Sequence, residues 1–211
     1  MAATLAVSGH PARSLTGKEG LMRMAPWLAI LTVLVMSGAC RARQTDDKVA
    51  ATRIQGGDPM SLTVSSPSFP QRGEIPDTYT CQGADRAPAL NWTGIPAETK
   101  SMAVIVDDPD APGGTWTHWV LYDLPPATNG LPEGTTAATL PPGTREGKND
   151  WHRTGYGGPC PPSGRHRYFY KVFALDTVLP DLREPTRQAL EKAMAGHVLA
   201  RAELVGTYQK H

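Results

Sequence analysis

Four side chains carry chemistry that could work as a set: Asp108, His118, His166 and Tyr168. An imidazole donates or accepts a hydrogen bond according to its tautomer, and a carboxylate beside it decides which nitrogen holds the proton. A phenol adds a neutral donor. Together they could hold an anion, exchange a proton or contribute to a metal site. The spacing of these ligands matches no metal motif and no cysteine cluster supports one, so no metal and no cofactor is expected. No Gly-x-Ser-x-Gly, Walker loop or dinucleotide fingerprint occurs, so no residue is assigned as catalytic. Either histidine alone reads as an ordinary half-buried strand residue. Two of them, each beside a proline-rich turn, read as a binding site.

Two strands must position the set. From Val104 to Tyr122 the chain runs as an apolar strand, breaks into Asp107-Asp108-Pro109-Asp110, and returns as an aromatic strand carrying His118. His166 to Leu175 is the clearest strand in the chain. Alternate residues share a face, so His166, Tyr168 and Tyr170 point one way, and His118, Val120 and Tyr122 are expected to share a face of theirs. If both strands belong to one sheet, the two imidazoles converge beside the Asp108 turn. Asp107, Asp110 and Trp119 are assigned to turn and packing roles.

The remaining elements build that sheet. Period-2 alternation over Met60–Ser65, Ala87–Trp92 and Ala202–Tyr208 predicts strands, and the continuous apolar run Met102–Val106 predicts a central strand covered on both faces. Gly73–Thr80 is expected as a short strand or edge segment. Trp116–Leu124 is a strand stopped by Pro125-Pro126. Thr128–Asn149 gives no strong element, and Gly155–Gly164 is a tightly turning loop. Pro185–Ala195 is the one convincing helix, ended by Gly196. The fold class expected is mainly β: an antiparallel Greek-key β-sandwich with one or two short helices.

The chain has 211 residues, one domain's worth plus a tail, with 21 Lys+Arg against 20 Asp+Glu. That balance and the lack of a basic patch interleaved with aromatics exclude nucleic acid as a partner. Residues 1–39 read as an export signal, whose apolar run from Ala25 to Met36 is too short to span a membrane. The true start is either Met1 or one of Met22 and Met24. Ser37-Gly38-Ala39 before Cys40 fits both a lipoprotein site, with Cys40 acylated, and an ordinary signal-peptidase site. Residues 40–59 read as a flexible tether and 60–211 as the folded domain. The expected location is the bacterial cell envelope, periplasmic or lipid-anchored, with no other membrane attachment. Cys81 and Cys160 either pair in that oxidising compartment or remain buried thiols.

Asp107-Asp108-Pro109-Asp110-Ala111-Pro112, Thr115-Trp116-Thr117-His118-Trp119 and Gly157-Gly158-Pro159-Cys160-Pro161-Pro162 before His166-Arg167-Tyr168 resemble the phosphatidylethanolamine-binding protein family. Tyr79-Thr80-Cys81 and the Gly-Pro-Cys-Pro-Pro loop bring the chain nearest its bacterial, Raf-kinase-inhibitor-like branch. The resemblance covers the folded domain. It implies a β-sandwich with a pocket for a small anion or a phospholipid head group, lined by Asp108, His118, His166 and Tyr168 and shaped by Pro112, Gly158 and Pro159. The histidines would donate to the anion's oxygens, with Asp108 orienting one of them. The expected function is non-catalytic binding of an anion or phosphoester. The alternative it implies is a protein inhibitor or regulator of a kinase or hydrolase acting through the same pocket. Arg165 is expected to bring an extra cation to the mouth, and the pocket-covering carboxy-terminal helix of animal members is expected to be missing, leaving a more open pocket.

Overall fold

A computed structural model describes residues 61–211. The export signal, the tether and Cys40 lie outside the described residues. Eight strands form two antiparallel sheets. Strands β1 (Thr63–Ser65), β2 (Leu90–Thr93) and β5 (Gly130–Leu131) make the smaller, in the order β1-β2-β5. Strands β3 (Ser101–Asp108), β4 (Trp116–Leu124), β6 (Arg145–Glu146), β7 (Arg165–Leu175) and β8 (Val198–Gln209) make the larger, in the order β6-β4-β3-β7-β8. The mainly β, antiparallel class read from the sequence is the one observed.

Burial explains the layering. Strand β3 is buried along its whole length, as its unbroken apolar run predicts for a strand covered on both faces. One face of the large sheet packs Val104, Val106, Leu121, Tyr168 and Tyr170 against Leu90, Trp92 and Leu131 of the small sheet. The other packs Ala103, Ile105, Val120 and Tyr122 against Leu190 and Met194 of helix α1 (Arg187–Met194). Thr186 caps that helix, its hydroxyl accepting from the Ala189 amide at 3.3 Å. Among the described residues no helix is long and apolar enough to cross a membrane.

Two segments differ from expectation. Gly73–Thr80 contributes only a parallel bridge, Glu74 to Thr207, before a 3-10 turn at Asp77–Tyr79. Pro76 explains the change. It has no amide for a ladder, and its carbonyl instead accepts from Tyr79 N at 3.0 Å. The stretch Thr128–Asn149 contains two two-residue strands, β5 and β6, too short to carry a periodic signal.

Cys81 and Cys160 form a disulfide with Cα atoms 5.4 Å apart. The bridge joins the segment after the 3-10 turn to the loop preceding β7. Beside it, Cys81 N donates to Pro159 O at 3.1 Å and Gly158 N to Asp85 Oδ1 at 2.6 Å.

Candidate functional site

The ends of β3, β4 and β7 meet at one edge of the large sheet, with β3 in the middle. This order sets Asp108 between His118 and His166. Asp108 Oδ1 accepts from Asp110 N at 2.8 Å, closing the Asp-Pro-Asp turn, and Oδ2 accepts from His166 Nδ1 at 2.7 Å. The neighbouring Asp107 points to the opposite face, where Lys171 Nζ donates to it at 2.6 Å. Burial raises its pKa despite that lysine.

His118 reaches the site through a fault in the ladder. Val106 pairs with Trp119 and Asp107 with Thr117, so His118 is the extra residue of a β-bulge. Strict alternation would put it beside Val120 and Tyr122, against α1. The bulge instead places it edge-on to Tyr168, ring centroids 5.2 Å apart, on the small-sheet side. The expectation of a shared face with Val120 and Tyr122 therefore fails. Its Nδ1 lies 2.6 Å from Gly157 O. A carbonyl only accepts, so Nδ1 carries the proton and Nε2 keeps its lone pair in the neutral ring. The ring is 3 % exposed, and burial lowers its pKa against the opposing pull of the Gly157 carbonyl and of Asp108, Asp150 and Asp85.

Around these groups lies a half-open cavity of about 650 Å³, within the range of small-molecule sites. Asp108 and His118 form its floor, Ala111–Trp116 one wall, Asp150–His152 a second, and Cys160–Pro162 the rim. Trp116 and Trp151 meet edge to face at 5.4 Å and remain 37 % and 39 % exposed. Thr117 N donates to Asp150 Oδ2 at 2.6 Å, and Asn149 Oδ1 accepts from the Trp151 and Arg153 amides, so the second wall is pinned to the start of β4.

Of the residues predicted to line the pocket, Asp108, His118 and Pro112 do so. His166 stands one layer behind, its Nδ1 spent on Asp108. Tyr168 is fully buried, packed on His118, and its hydroxyl has no hydrogen-bond partner. Burial, and then the nearby Asp108 carboxylate, push that phenol's pKa up, so it stays a donor. Gly158 and Pro159 are buried beside Asp85 and Cys81 and do not shape the rim; the rim role passes to Cys160, Pro161 and Pro162. Arg165 does not guard the mouth. Its guanidinium turns to Glu74 at 3.7 Å and Thr207 at 3.4 Å.

Trp151 and Asp150 were not foreseen. The run Asn149-Asp150-Trp151-His152-Arg153 has no period, and its one signal is a tryptophan among charges in a glycine-rich connection. Asp110 matches its turn assignment and also ties the turn to β7. Its carboxylate accepts from Arg167 N at 3.0 Å, Nε at 2.9 Å and Nη2 at 2.6 Å. Arg167 holds the Asp110 pKa down at about 2. A depressed carboxylate stabilises the fold above its unfolded pKa of about 3.9 and stops doing so as pH falls through its folded value. The stability gap between the native protein and Asp110→Asn is therefore expected to close as pH drops from about 4 to about 2. Acid titrations of the two unfolding midpoints check this; a constant gap would contradict it.

Comparison with known proteins agrees with this architecture. The family model described as phosphatidylethanolamine-binding protein matches residues 65–209. The chain is 47 % identical over 150 residues to a UPF0098 protein of Methanothermobacter thermautotrophicus, covering 71 % of this chain and 99 % of that one. It is 41 % identical over 202 residues to the UPF0098 protein PH1269 of Pyrococcus horikoshii, covering 93 % and 94 %. Two crystal structures superpose with TM-scores of 0.68, each covering 72 % of this chain and 99 % of its own. They are CT736 of Chlamydia trachomatis, described as a phosphatidylethanolamine-binding protein homolog, at 39 % identity, and Escherichia coli YbcL, described as a member of the mammalian family, at 31 %. The chain belongs to the phosphatidylethanolamine-binding protein family.

Proposed function

We propose that this protein binds a small oxyanion or phosphoester, such as a phospholipid head group, without transforming it. In this reading it acts in the bacterial cell envelope after export on residues 1–39, with Cys40 as its lipid anchor or its mature amino terminus. The observation that carries the reading is the cavity floor. There Asp108, held from behind by His166, and a tautomer-fixed His118 face the cavity, with Tyr168 buried beneath them. An empty hydrogen-bonding position in a buried network is where a ligand gains most. Among the described residues the wall presents no hydroxyl or thiol paired with a base: Thr115 bonds neither imidazole, and Cys160 Sγ is held in the disulfide.

Inorganic phosphate titrated into the protein is expected to move the NMR resonances of His118 and His166 and the fluorescence of Trp116 and Trp151, with a Kd of about mM to μM. Histidine and tryptophan signals unmoved at saturating phosphate would remove the reading. A second reading, an inhibitor whose cavity receives a side chain or phosphorylated loop of a kinase or hydrolase, is favoured by the two half-exposed tryptophans at the mouth. Partner capture that survives excess phosphate would favour it.

A further inference from the structure

A second cavity shares no residue with the one at Asp108 and His118. It is half-open, encloses about 510 Å³, and is lined by residues 84–87, 134–137 and 153–156 together with Glu146 of β6. Arg86 is held there from two sides. Its Nη1 lies 3.3 Å from Glu133 Oε1, and Glu133 is itself fixed by the Tyr79 hydroxyl, which donates to Oε2 at 3.0 Å. Gly134 adjoins the guanidinium at a φ of 72°, and a Cβ there would lie 2.9 Å from Nη2 and 3.2 Å from Nε. Glycine supplies both the left-handed backbone and the space. The Nε–Nη2 edge stays clear, and among the described residues only Nη1 is engaged. That edge is the two-donor fork that matches a carboxylate.

Glu146 contributes the opposite charge. The β6 ladder fixes its backbone against Leu121, while its carboxylate has no ion-pair or hydrogen-bond partner among the described residues. Thr136 and Thr154 add two hydroxyls that donate to nothing among the described residues. Arg153 and Asp85 complete the charged lining. They meet loosely at 3.8 Å, and Asp85 Oδ1 already accepts from Gly158 N at 2.6 Å.

Two arginines and two carboxylates leave this lining without net charge, so it offers a bare anion or cation little attraction. It presents no aromatic face for a sugar ring, because Tyr156 is buried with its hydroxyl bonded to Tyr79 O and the Tyr170 hydroxyl. The free groups match a molecule charged at both ends. We infer that this cavity binds a small zwitterion, an α-amino acid or a dipeptide. The ligand carboxylate accepts from the Arg86 fork, and its ammonium donates to Glu146. Thr136 and Thr154 serve its remaining polar atoms. The site is additional to the oxyanion reading and does not rest on it.

Calorimetric titration with L-alanine and L-alanyl-L-alanine at pH 7, where both ends are charged, tests the inference. At least one is expected to bind, with a Kd of about mM. Acetylating its amine, or amidating its acid, should weaken binding about tenfold, the loss of one charge-assisted hydrogen bond. In Glu146→Gln the acetylation penalty should vanish, and in Arg86→Gln the amidation penalty. The Arg86–Glu133 pair is half-exposed and Glu146 is unpaired, so both variants should unfold close to the native midpoint. The amide resonances of Gly134 and Gly155 should move during the titration. Binding by neither compound, equal affinity of the blocked forms, or penalties unchanged in the variants would overturn the inference. So would resonance movement confined to Thr115 and Trp116 of the other cavity. Failure of phosphate to bind would remove the oxyanion reading and leave this site standing.

Discussion

Reducing the Cys81–Cys160 bridge, or replacing Cys160 with serine, is expected to destabilise the folded domain by about 3–5 kcal/mol, because the two residues are 79 apart in sequence. Closing so long a loop in advance removes much of the unfolded chain's freedom, and that saving is lost with the bond. For a domain of this size the loss corresponds to a fall in Tm of about 10 °C. Denaturant unfolding with and without reductant measures it; coincident midpoints would show that the local hydrogen bonds hold the two segments unaided. The same bonds predict where the change appears. The Gly157–Pro162 loop supplies both the His118 acceptor and the cavity rim, so reduction should disturb the His118 resonance before it disturbs helix α1.

The second large effect separates two adjacent glycines. A Cβ on Gly158 would overlap the Tyr79 carbonyl and lie 2.7 Å from Asp85 Oδ1 and 2.9 Å from Thr80 Cα. Tyr79 and Thr80 belong to backbone fixed by the 3-10 turn and the disulfide, which cannot yield. Gly158→Ala is therefore expected to cost about 3 kcal/mol or more, at the upper end of overpacking. A Cβ on Gly157 meets a side chain instead, 2.5 Å from Trp151 Cζ3. Trp151 is half-exposed and can swing outward. Gly157→Ala should thus leave stability within about 1 kcal/mol while weakening phosphate binding by about tenfold, since the second wall of the cavity moves. Thermal unfolding and phosphate titration of both variants test the contrast, and two equally unstable variants would contradict it.

The legible parts of this fold are those where one physical signal dominates. Trp116–Leu124 was delimited correctly because a glycine pair precedes it and two prolines follow, and the core of β3 was located by its apolar run Met102–Val106, although the strand extends to buried Ser101 on one side and Asp108 on the other. The convergence of Asp108 with His166 was legible too, once both strands were placed in one sheet. The side from which His118 arrives was not. A bulge is a property of a pair of strands, and neither strand encodes it alone. The same limit hid Trp151, whose place depends on Asp150 reaching the Thr117 amide from 33 residues away. Arg165 was misread for a simpler reason. It immediately precedes His166, but neighbours on a strand point to opposite faces, so closeness in sequence carried the charge away from the site.

The bulge at His118 also has a genetic meaning. Thr117 and Trp119 already occupy successive rungs opposite Asp107 and Val106, so removing His118 would leave a regular ladder with every later residue still on its correct face. Substitution at this position alters the imidazole and leaves the phase of the strand intact. Deletion of one codon removes the imidazole and the phase slip together, and with them the two hydrogen bonds that His118 makes with Gly157. Relatives that lack the bulge should therefore be shorter by one residue in this strand, a difference that a residue-by-residue comparison without gaps would misplace, whereas relatives that keep it can exchange the imidazole without any change of length.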